Sequence, residues 1–193
     1  HPGIAGKMFH VLGRNGVNIR AIAQGSSERN ISAVIASSDV AKAINVLHEE
    51  FFETTYKQVN LFIIGTGNVG AKLLGQMQQQ LGFLQTQLRL QLRIAGLSNS
   101  RKMIFNEEGV NPAQWKELLD QGAPADLKKF VVEIINRNLR NSIFVDITAN
   151  DKVASVYDQL LQKSISVVAC NKVAASSAYS NYKKLKDLAR EFS

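Results

Sequence analysis

The chain has 193 residues, of which 45% are hydrophobic, and its 23 Lys and Arg against 16 Asp and Glu give a formal net charge of +7. This length and composition are enough to bury a core and allow one or two domains. The sequence has no low-complexity run and no apolar stretch of about 18 residues, so we expect an ordered protein without a membrane partner.

The positive charge is compatible with two classes of partner, a nucleic acid or an anionic cofactor. The basic residues are spread over several segments without interleaved aromatic residues, so we expect a cofactor and no nucleic acid. The single cysteine, Cys170, excludes an internal disulfide and, with no signal-peptide pattern at the start, favours a cytoplasmic location. His1, His10 and His48 lack the spacing of metal ligands, so no metal site is expected.

The first part of the chain, residues 1–56, predicts a helix, two strands and a second helix. Residues 17–23 and 31–35 have the composition of strands, and the polar residues 24–30 connect them. Asp39 is placed to cap the second helix. The apolar residues expected on the inner faces of the helices are Ala5, Met8 and Leu12 in the first and Val40, Ile44, Leu47 and Phe51 in the second.

The run from Gly16 to Ser32 closely resembles the ACT regulatory domain of aspartokinases. ACT modules fold as βαββαβ, and the order predicted here lacks the opening strand, so we expect a partial α+β ACT-like module. The resemblance implies that Gln24 and Asn30 recognise an amino-acid effector in the parent protein, because a side-chain amide can bond both a carboxylate and an ammonium group. Alternatively, these two side chains only satisfy backbone groups between the strands. Without the opening strand, effector binding by this chain alone is less expected.

A glycine motif follows residues 59–64, which are apolar except for Asn60 and predict a buried strand. The motif is Gly65-Thr66-Gly67-Asn68-Val69-Gly70, a match to G-x-G-x-x-G. Helical periodicity follows at once, in the apolar stripe of Leu73, Leu74, Met77 and Leu81. Strand, glycine turn and helix therefore occur in the order that a dinucleotide site requires.

Each glycine of the motif has a separate role in such a site. Gly65 lets the chain leave the strand in a tight turn, Gly67 lets the backbone approach a pyrophosphate, and Gly70 lets the helix pack against the strand. The phosphates would lie at the helix N-terminus, against free N–H groups and the positive end of the dipole. The alternative is an ordinary glycine-bearing loop between two core elements.

From residue 59 onward, strands alternate with helices, the pattern of a parallel sheet. After the first helix, strands are expected at residues 88–97, 142–147 and 165–169, and helices from Asn111-Pro112 and over residues 127–135, 153–161 and 182–192. The sequence therefore predicts an α/β fold. We expect a Rossmann-like parallel sheet with helices on both faces in residues 57–193, preceded by the partial ACT-like module in residues 1–56.

Three strand ends carry candidate ligand-binding residues, because ligands of open α/β sheets bind beyond the carboxyl ends of the strands. The second strand ends in Asn99, Ser100 and Arg101 with no carboxylate, which favours the 2′-phosphate of NADP over the free ribose of NAD, although NAD is possible. Thr148 follows the third strand and is a candidate for contact with nicotinamide or ribose. Lys172 follows the fourth and can reach cofactor or substrate oxygens. Alternatively, these residues form a basic loop and cap helices.

Together with the glycine motif, two further segments resemble homoserine dehydrogenases. They are Val145-Asp146-Ile147-Thr148-Ala149 and Ala169-Cys170-Asn171-Lys172-Val173-Ala174, in the order found in that family. The whole chain resembles the junction between the ACT region and the dehydrogenase of a bifunctional aspartokinase/homoserine dehydrogenase. Family members often have Pro before Asn-Lys and a second Lys after it, where this chain has Cys170 and Val173, so only Lys172 is assigned a role.

The resemblance implies NAD(P)-dependent reduction of aspartate 4-semialdehyde to homoserine, on the route to threonine and methionine. A hydride from the nicotinamide would attack the aldehyde while a lysine handles the alcohol proton. In the family, that lysine, the substrate-holding carboxylates and the kinase site lie outside the matched segment. We therefore assign no catalytic residue and expect this chain to bind nucleotide without turnover. ACT modules associate with one another, which implies a homo-oligomer.

Two other functions are compatible with the sequence. Glycine-motif domains joined to small ligand-binding domains also act as non-enzymatic nucleotide sensors, but these usually keep an acidic residue where Asn99 to Arg101 stand here. The other is a regulatory dimerisation module with a vestigial cofactor site. Measured nucleotide affinity separates this last interpretation from the first two.

Overall fold

The computed structural model describes residues 3–25, 30–52 and 56–192. The chain forms two compact units, residues 1–55 and 56–193. In the described part of the chain, no helix has both the length and the apolar character needed to cross a membrane.

Within residues 3–25 and 30–52, the N-terminal unit forms two helices and one antiparallel strand pair. Its elements are α1 (Ile4–Arg14), β1 (Ile19–Gln24), β2 (Ile31–Ile35) and α2 (Val40–Phe51), with a single 3₁₀ turn at Ser37–Asp39. The buried residues of its core are Val11, Leu12, Val17, Ala43 and Val46. The predicted order of helix, strand, strand and helix is confirmed, while residues 26–29 of the predicted polar loop lie outside the described residues.

Two predicted details of α2 are wrong. Asp39 precedes the helix but its side chain makes no capping bond, because it ends the 3₁₀ turn in a helical conformation rather than an extended one. The inner face also differs in part: Leu47 packs against the core as predicted, but Ala43 and Val46 are buried while Val40 and Ile44 are 41% and 60% exposed. The helix is thus rotated from the orientation that its apolar residues predicted.

The second unit is built on one six-stranded sheet. Its strands are β3 (Lys57–Ile64), β4 (Leu90–Ser98), β5 (Lys102–Phe105), β6 (Ala123–Pro124), β7 (Ser142–Asp146) and β8 (Ser166–Ala169). Its helices are α3 (Asn68–Leu88), α4 (Trp115–Asp120), α5 (Leu127–Arg137), α6 (Asp151–Ala154), α7 (Tyr157–Leu161), α8 (Val173–Ser176) and α9 (Tyr179–Glu191). The strand order is β6-β5-β4-β3-β7-β8, and β4, β3, β7 and β8 are parallel.

Both faces of the sheet are covered by helices, as predicted. Successive residues of β3 point to opposite faces, so Leu61 and Ile63 belong to one core and Phe62 and Ile64 to the other. The first core includes residues of α3 and α4: Leu74, Met77 and Leu119. The second includes residues of α5, α6, α7 and α8: Phe130, Val131, Ile134, Val153, Tyr157, Leu160 and Ala174. Burial on both faces accounts for the apolar residues 61–64 in the second half of β3.

The sheet also has an antiparallel edge that the sequence did not predict. Strand β5 pairs antiparallel with β4, and the two-residue β6 pairs antiparallel with β5. Lys102, which follows the polar turn, opens β5. Short strands next to a polar turn give little periodicity, which is why these two were missed.

Several predicted element bounds differ from the structure by one to three residues, and three further differences have a visible cause. Leu88 ends α3 instead of opening β4, because the helix continues until Arg89 takes a left-handed conformation with φ 51°. Asn111 forms a turn in which its Oδ1 accepts from the Ala113 N–H at 2.9 Å, and α4 begins only at Trp115. The helix expected over residues 153–161 is divided into α6 and α7.

Candidate functional site

The glycine turn begins at Gly65, directly after β3. Gly65 has φ +99°, and a Cβ atom there would lie 2.6 Å from the Ile147 carbonyl oxygen at the end of β7. Its N–H donates to the Ser98 carbonyl at 2.8 Å, at the end of β4. Gly65 therefore joins the carboxyl ends of three adjacent strands, and both its conformation and the close approach require glycine.

Gly70 and Gly67 are glycines for different reasons. A Cβ atom on the buried Gly70 would lie 2.1 Å from the Gly65 carbonyl oxygen, so the first turn of α3 packs directly on the glycine turn. At Gly67, the backbone has φ −67°, and an added Cβ would meet nothing within 4 Å. The fold itself does not require glycine at position 67. Because Gly67 has no side chain, it leaves open space in front of the helix end.

The N-terminus of α3 can receive an anion in that open space. The N–H groups of Asn68, Val69 and Gly70 have no partner within the helix, since the first helical bond runs from Ala71 N–H to Gly67 O at 2.8 Å. No acidic residue occupies the first turn of α3. Unpaired N–H groups and the helix dipole favour a phosphate here, so these residues fit a pyrophosphate.

The β4–β5 turn presents Arg101 at the next strand end. Asn99 Oδ1 accepts from the N–H groups of Arg101 and Lys102, both at 2.7 Å, and the Arg101 carbonyl accepts from Ala125 N–H at 2.9 Å. Lys102 donates through Nζ to the Gly122 carbonyl at 3.0 Å. Ser100 and Arg101 are exposed, and among the residues that the structure describes the Arg101 guanidinium has no carboxylate partner. Arg101 thus has a fixed backbone and an available charge.

Thr148 lies against the glycine turn at the end of β7. Its Cγ2 would be 3.0 Å from a Cβ on Gly65, and its N–H donates to Asp146 Oδ1 at 2.7 Å. Its Oγ1 accepts from the Asn150 N–H at 3.3 Å, so Thr148 also shapes the turn into α6. The structure therefore brings Thr148 to the glycine motif, as the parallel sheet predicts.

Lys172 follows β8, one strand further along the same edge. It is exposed, it precedes α8, and its carbonyl accepts from Ser176 N–H at 2.8 Å. Its neighbour Asn171 is buried, 4% exposed, and connects β8 to β7 through hydrogen bonds. Lys172 shares the sheet edge with the glycine turn, but β7 lies between them.

A buried polar network at the ends of β7 and β8 was not predicted as part of the site. Asp146 is 0% exposed, and its carboxylate accepts hydrogen bonds from the Thr148 N–H, the Tyr157 hydroxyl and Asn171 Nδ2. Burial and then the bond to the Asp146 carboxylate raise the pKa of Tyr157 far above its usual value, so its hydroxyl remains a donor. The one sequence signal was a carboxylate ending an apolar strand.

The two candidate effector residues lie in the N-terminal unit. Gln24 ends β1, where it pairs with Ile31, and Asn30 directly precedes β2. Both side chains are exposed at the same end of the strand pair. They are therefore near each other, on either side of residues 26–29.

The cavities described in the second unit lie away from the glycine turn. One of about 740 Å³ lies between α5 and the α6–α7 segment, with Val131, Val132 and Val156 in its lining. The glycine turn instead lies at the carboxyl ends of the strands, where the sheet is open. A ligand bound there can extend across several strand ends, so this position suits an elongated ligand better than a closed cavity does.

A glycine turn between a central parallel strand and a helix, at the point where the strand order reverses, defines a dinucleotide-binding domain of the Rossmann class. Residues 65–192 match the family model of the homoserine dehydrogenase NAD-binding domain, and residues 1–51 match an ACT-domain model. The chain therefore belongs to the family of homoserine dehydrogenase NAD-binding domains, whose cofactors are nicotinamide dinucleotides.

Similar curated proteins are bifunctional aspartokinase/homoserine dehydrogenases. The chloroplastic protein 2 of Arabidopsis thaliana is 38% identical over 98% of this chain and 21% of its own length. The chloroplastic protein 1 of Zea mays is 39% identical over 98% and 21%, and the protein of Haemophilus influenzae is 33% identical over 97% and 23%. The chain thus spans only about a fifth of the length of these relatives.

Solved structures of homoserine dehydrogenases share the fold. One of a hyperthermophilic archaeal enzyme in complex with NADPH gives a TM-score of 0.57 at 22% identity, over 70% of this chain and 41% of that chain. The enzyme of Thermoplasma acidophilum gives a TM-score of 0.54 at 18% identity, over 70% and 41%.

Proposed function

We propose that the second unit binds NADP(H), with the pyrophosphate at Gly65, Thr66, Gly67, Asn68, Val69 and Gly70, as the cofactor-binding part of a homoserine dehydrogenase. The observation that carries this proposal is the open space at Gly67 in front of unpaired helix N–H groups. Family membership supports the nicotinamide cofactor. In the whole protein, bound NADPH would supply the hydride that reduces aspartate 4-semialdehyde to homoserine.

The preference for NADP over NAD rests on the β4–β5 turn. Arg101 offers a guanidinium to a 2′-phosphate, and no carboxylate stands at residues 99–101 to bind a free ribose hydroxyl. Asn99 contributes by shaping this turn with Oδ1, which leaves its Nδ2 to donate to the ligand. Ser100 is exposed beside it and supplies a hydroxyl.

Thr148 and Lys172 form the nicotinamide side of the proposed site. Thr148 contacts the glycine turn, and Lys172 is an exposed cation at the end of the adjoining strand. An ammonium group in that position binds ribose or substrate oxygens and orients the nicotinamide ring.

The N-terminal unit is proposed to regulate the whole protein. Its match to an ACT-domain model supports amino-acid binding near Gln24 and Asn30. The similar proteins join an aspartokinase to the dehydrogenase, which supports the same fusion here. We place the boundary between the two domains at residues 56 and 57, and we propose that the protein is a cytoplasmic homo-oligomer.

The test is a fluorescence titration of the chain with NADPH and with NADH. Gly67→Asp fills the open space with bulk and negative charge, so we expect it to abolish binding of both cofactors without unfolding the protein. Gly82→Asp is the matched control, because it places the same charge on α3 at another position with nothing within 4 Å. Undiminished NADPH affinity in a folded Gly67→Asp protein would refute the proposed site.

A further inference from the structure

The buried carboxylate of Asp146 has no part in the cofactor binding proposed above. It accepts from Thr148 N–H at 2.7 Å, from Asn171 Nδ2 at 3.0 Å and from the Tyr157 hydroxyl. These donors come from the turn after β7, from the segment after β8 and from α7. Oδ1 of this fully buried carboxylate is therefore bonded by Thr148, and Oδ2 by Tyr157 and Asn171, so that three separate parts of the chain converge on one side chain.

Burying a carboxylate is costly compared with filling the same volume with an apolar side chain. The neighbouring residues of β7, Phe144 and Val145, show that this strand is otherwise stabilised by apolar packing. Three directed hydrogen bonds fix the positions of the bonded groups more strictly than apolar packing alone does. Asp146 is thus suited to fixing the geometry of the strand ends.

Asn171 extends this constraint across the two strand ends. Its Nδ2 also donates to the Asn150 carbonyl at 3.0 Å, and its Oδ1 accepts from Val173 N–H at 3.1 Å. The turn after β7 and the segment after β8 are therefore bonded to each other through one buried side chain. Thr148 lies within the first of these segments and Lys172 within the second.

We propose that Asp146, Tyr157 and Asn171 are positioning residues that set Thr148 and Lys172 for the nicotinamide half of the cofactor. This proposal rests on the proposed function, because it takes Thr148 and Lys172 to contact the bound dinucleotide. The network lies at the ends of β7 and β8, whereas Arg101 lies beyond β4 on the other side of β3. Its effect should therefore be confined to one half of the ligand.

Two ligands distinguish the effects on the two halves of the proposed cofactor site. NADPH contacts the whole proposed site, and 2′,5′-ADP lacks the nicotinamide riboside and the phosphate that carries it, so it contacts only part of the glycine turn and Arg101. A general loss of structure weakens the binding of both ligands. Loss of positioning at Thr148 and Lys172 weakens the binding of NADPH alone.

The experiment measures the Kd of both ligands by calorimetry, with thermal unfolding of each variant. In Asn171→Ala and in the conservative Tyr157→Phe, we expect NADPH to bind about five- to tenfold more weakly, while 2′,5′-ADP stays within about twofold. Tyr157→Phe removes only the hydroxyl and keeps the ring that packs edge-on against Phe144. It therefore decides the question even where Asn171→Ala does not fold.

Asn60→Ala is the matched control for Asn171→Ala. Asn60 is 1% exposed and donates through Nδ2 to the Arg140 carbonyl at 2.7 Å, at the opposite, amino edge of the sheet. We expect it to lower the unfolding temperature without changing the affinity for either ligand. Equal weakening of both ligands in Tyr157→Phe, or unchanged NADPH affinity in Tyr157→Phe and in any Asn171→Ala protein that folds, would overturn the proposal.

Lys172→Met tests the underlying assignment separately. If this substitution weakens the binding of NADPH but not of 2′,5′-ADP, Lys172 belongs to the nicotinamide side. In that case, unchanged NADPH binding in the network variants counts only against the positioning role, not against the assignment of Lys172. If Lys172→Met and Thr148→Val leave NADPH affinity unchanged, the assignment of these two residues fails, and the positioning proposal fails with it. Loss of binding in Gly67→Asp would still support the glycine site.

Discussion

Arg101 is the residue that we propose selects NADP over NAD, and its backbone is held by hydrogen bonds. The Asn99 side chain and the Ala125 N–H hold the residue at the end of β4, while Lys102 is bonded to the Gly122 carbonyl. Of the two adjacent cations, only Arg101 has a side chain available to a ligand. Arginine is also the residue that binds phosphate with two parallel bonds.

Arg101→Ala should weaken NADPH binding about tenfold or more and leave NADH binding unchanged, because only NADPH carries the 2′-phosphate. Parallel titrations of the two cofactors measure this difference. Lys102→Ala is the matched control, since it removes the adjacent charge and should leave the ratio of the two affinities unchanged. Equal losses for NADPH and NADH in Arg101→Ala would show that the residue does not read the 2′-phosphate.

At the scale of elements, α3 contains one glycine that the packing requires and another that it does not require. Gly70 contacts the Gly65 carbonyl so closely that a methyl group has no room, whereas Gly75 on the same helix has nothing within 4 Å of an added Cβ. The close contact brings the helix N-terminus to the end of β3. Packing therefore sets the position of the phosphate site that we propose at this helix end.

Gly70→Ala should destabilise the second unit by about 2–3 kcal/mol, because backbone atoms must move to admit the methyl group. Gly75→Ala should leave the free energy of unfolding unchanged or raise it by up to about 1 kcal/mol, since alanine favours a helix. Urea denaturation of both variants measures these free energies. Similar stabilities would mean that the Gly65–Gly70 contact does not hold α3 in place.

For the whole molecule, the residues proposed to bind the cofactor all lie in the second unit, and the candidate effector residues lie in the first. Each unit has its own buried core. A domain with its own core can fold alone. Nucleotide binding is therefore expected to be a property of residues 57–193.

A protein comprising residues 57–193 should fold and bind NADPH with the affinity of the 193-residue chain, within about twofold. Circular dichroism and the same NADPH titration test this expectation, and Gly67→Asp in the shorter protein controls for nonspecific fluorescence changes. A folded 57–193 protein without NADPH affinity would place part of the site in the N-terminal unit.

The glycine motif shows what the sequence by itself determined. Apolar strand, glycine turn and amphipathic helix are adjacent in the chain, so local periodicity was enough to predict them and the class of the fold. The same holds for the strand ends that carry Arg101, Thr148 and Lys172, because parallel strands must align their carboxyl ends at one edge.

Only the tertiary structure decided which groups at the carboxyl ends of the strands form hydrogen bonds with one another. Asp146 bonds Tyr157 and Asn171, which are 11 and 25 residues away, and no short-range pattern connects them. The face of α2 that becomes buried, and the split between α6 and α7, were likewise set by packing against neighbouring elements. Hydrogen bonds and packing depend on which surfaces meet in three dimensions, and periodicity along one segment carries no information about the opposing surface.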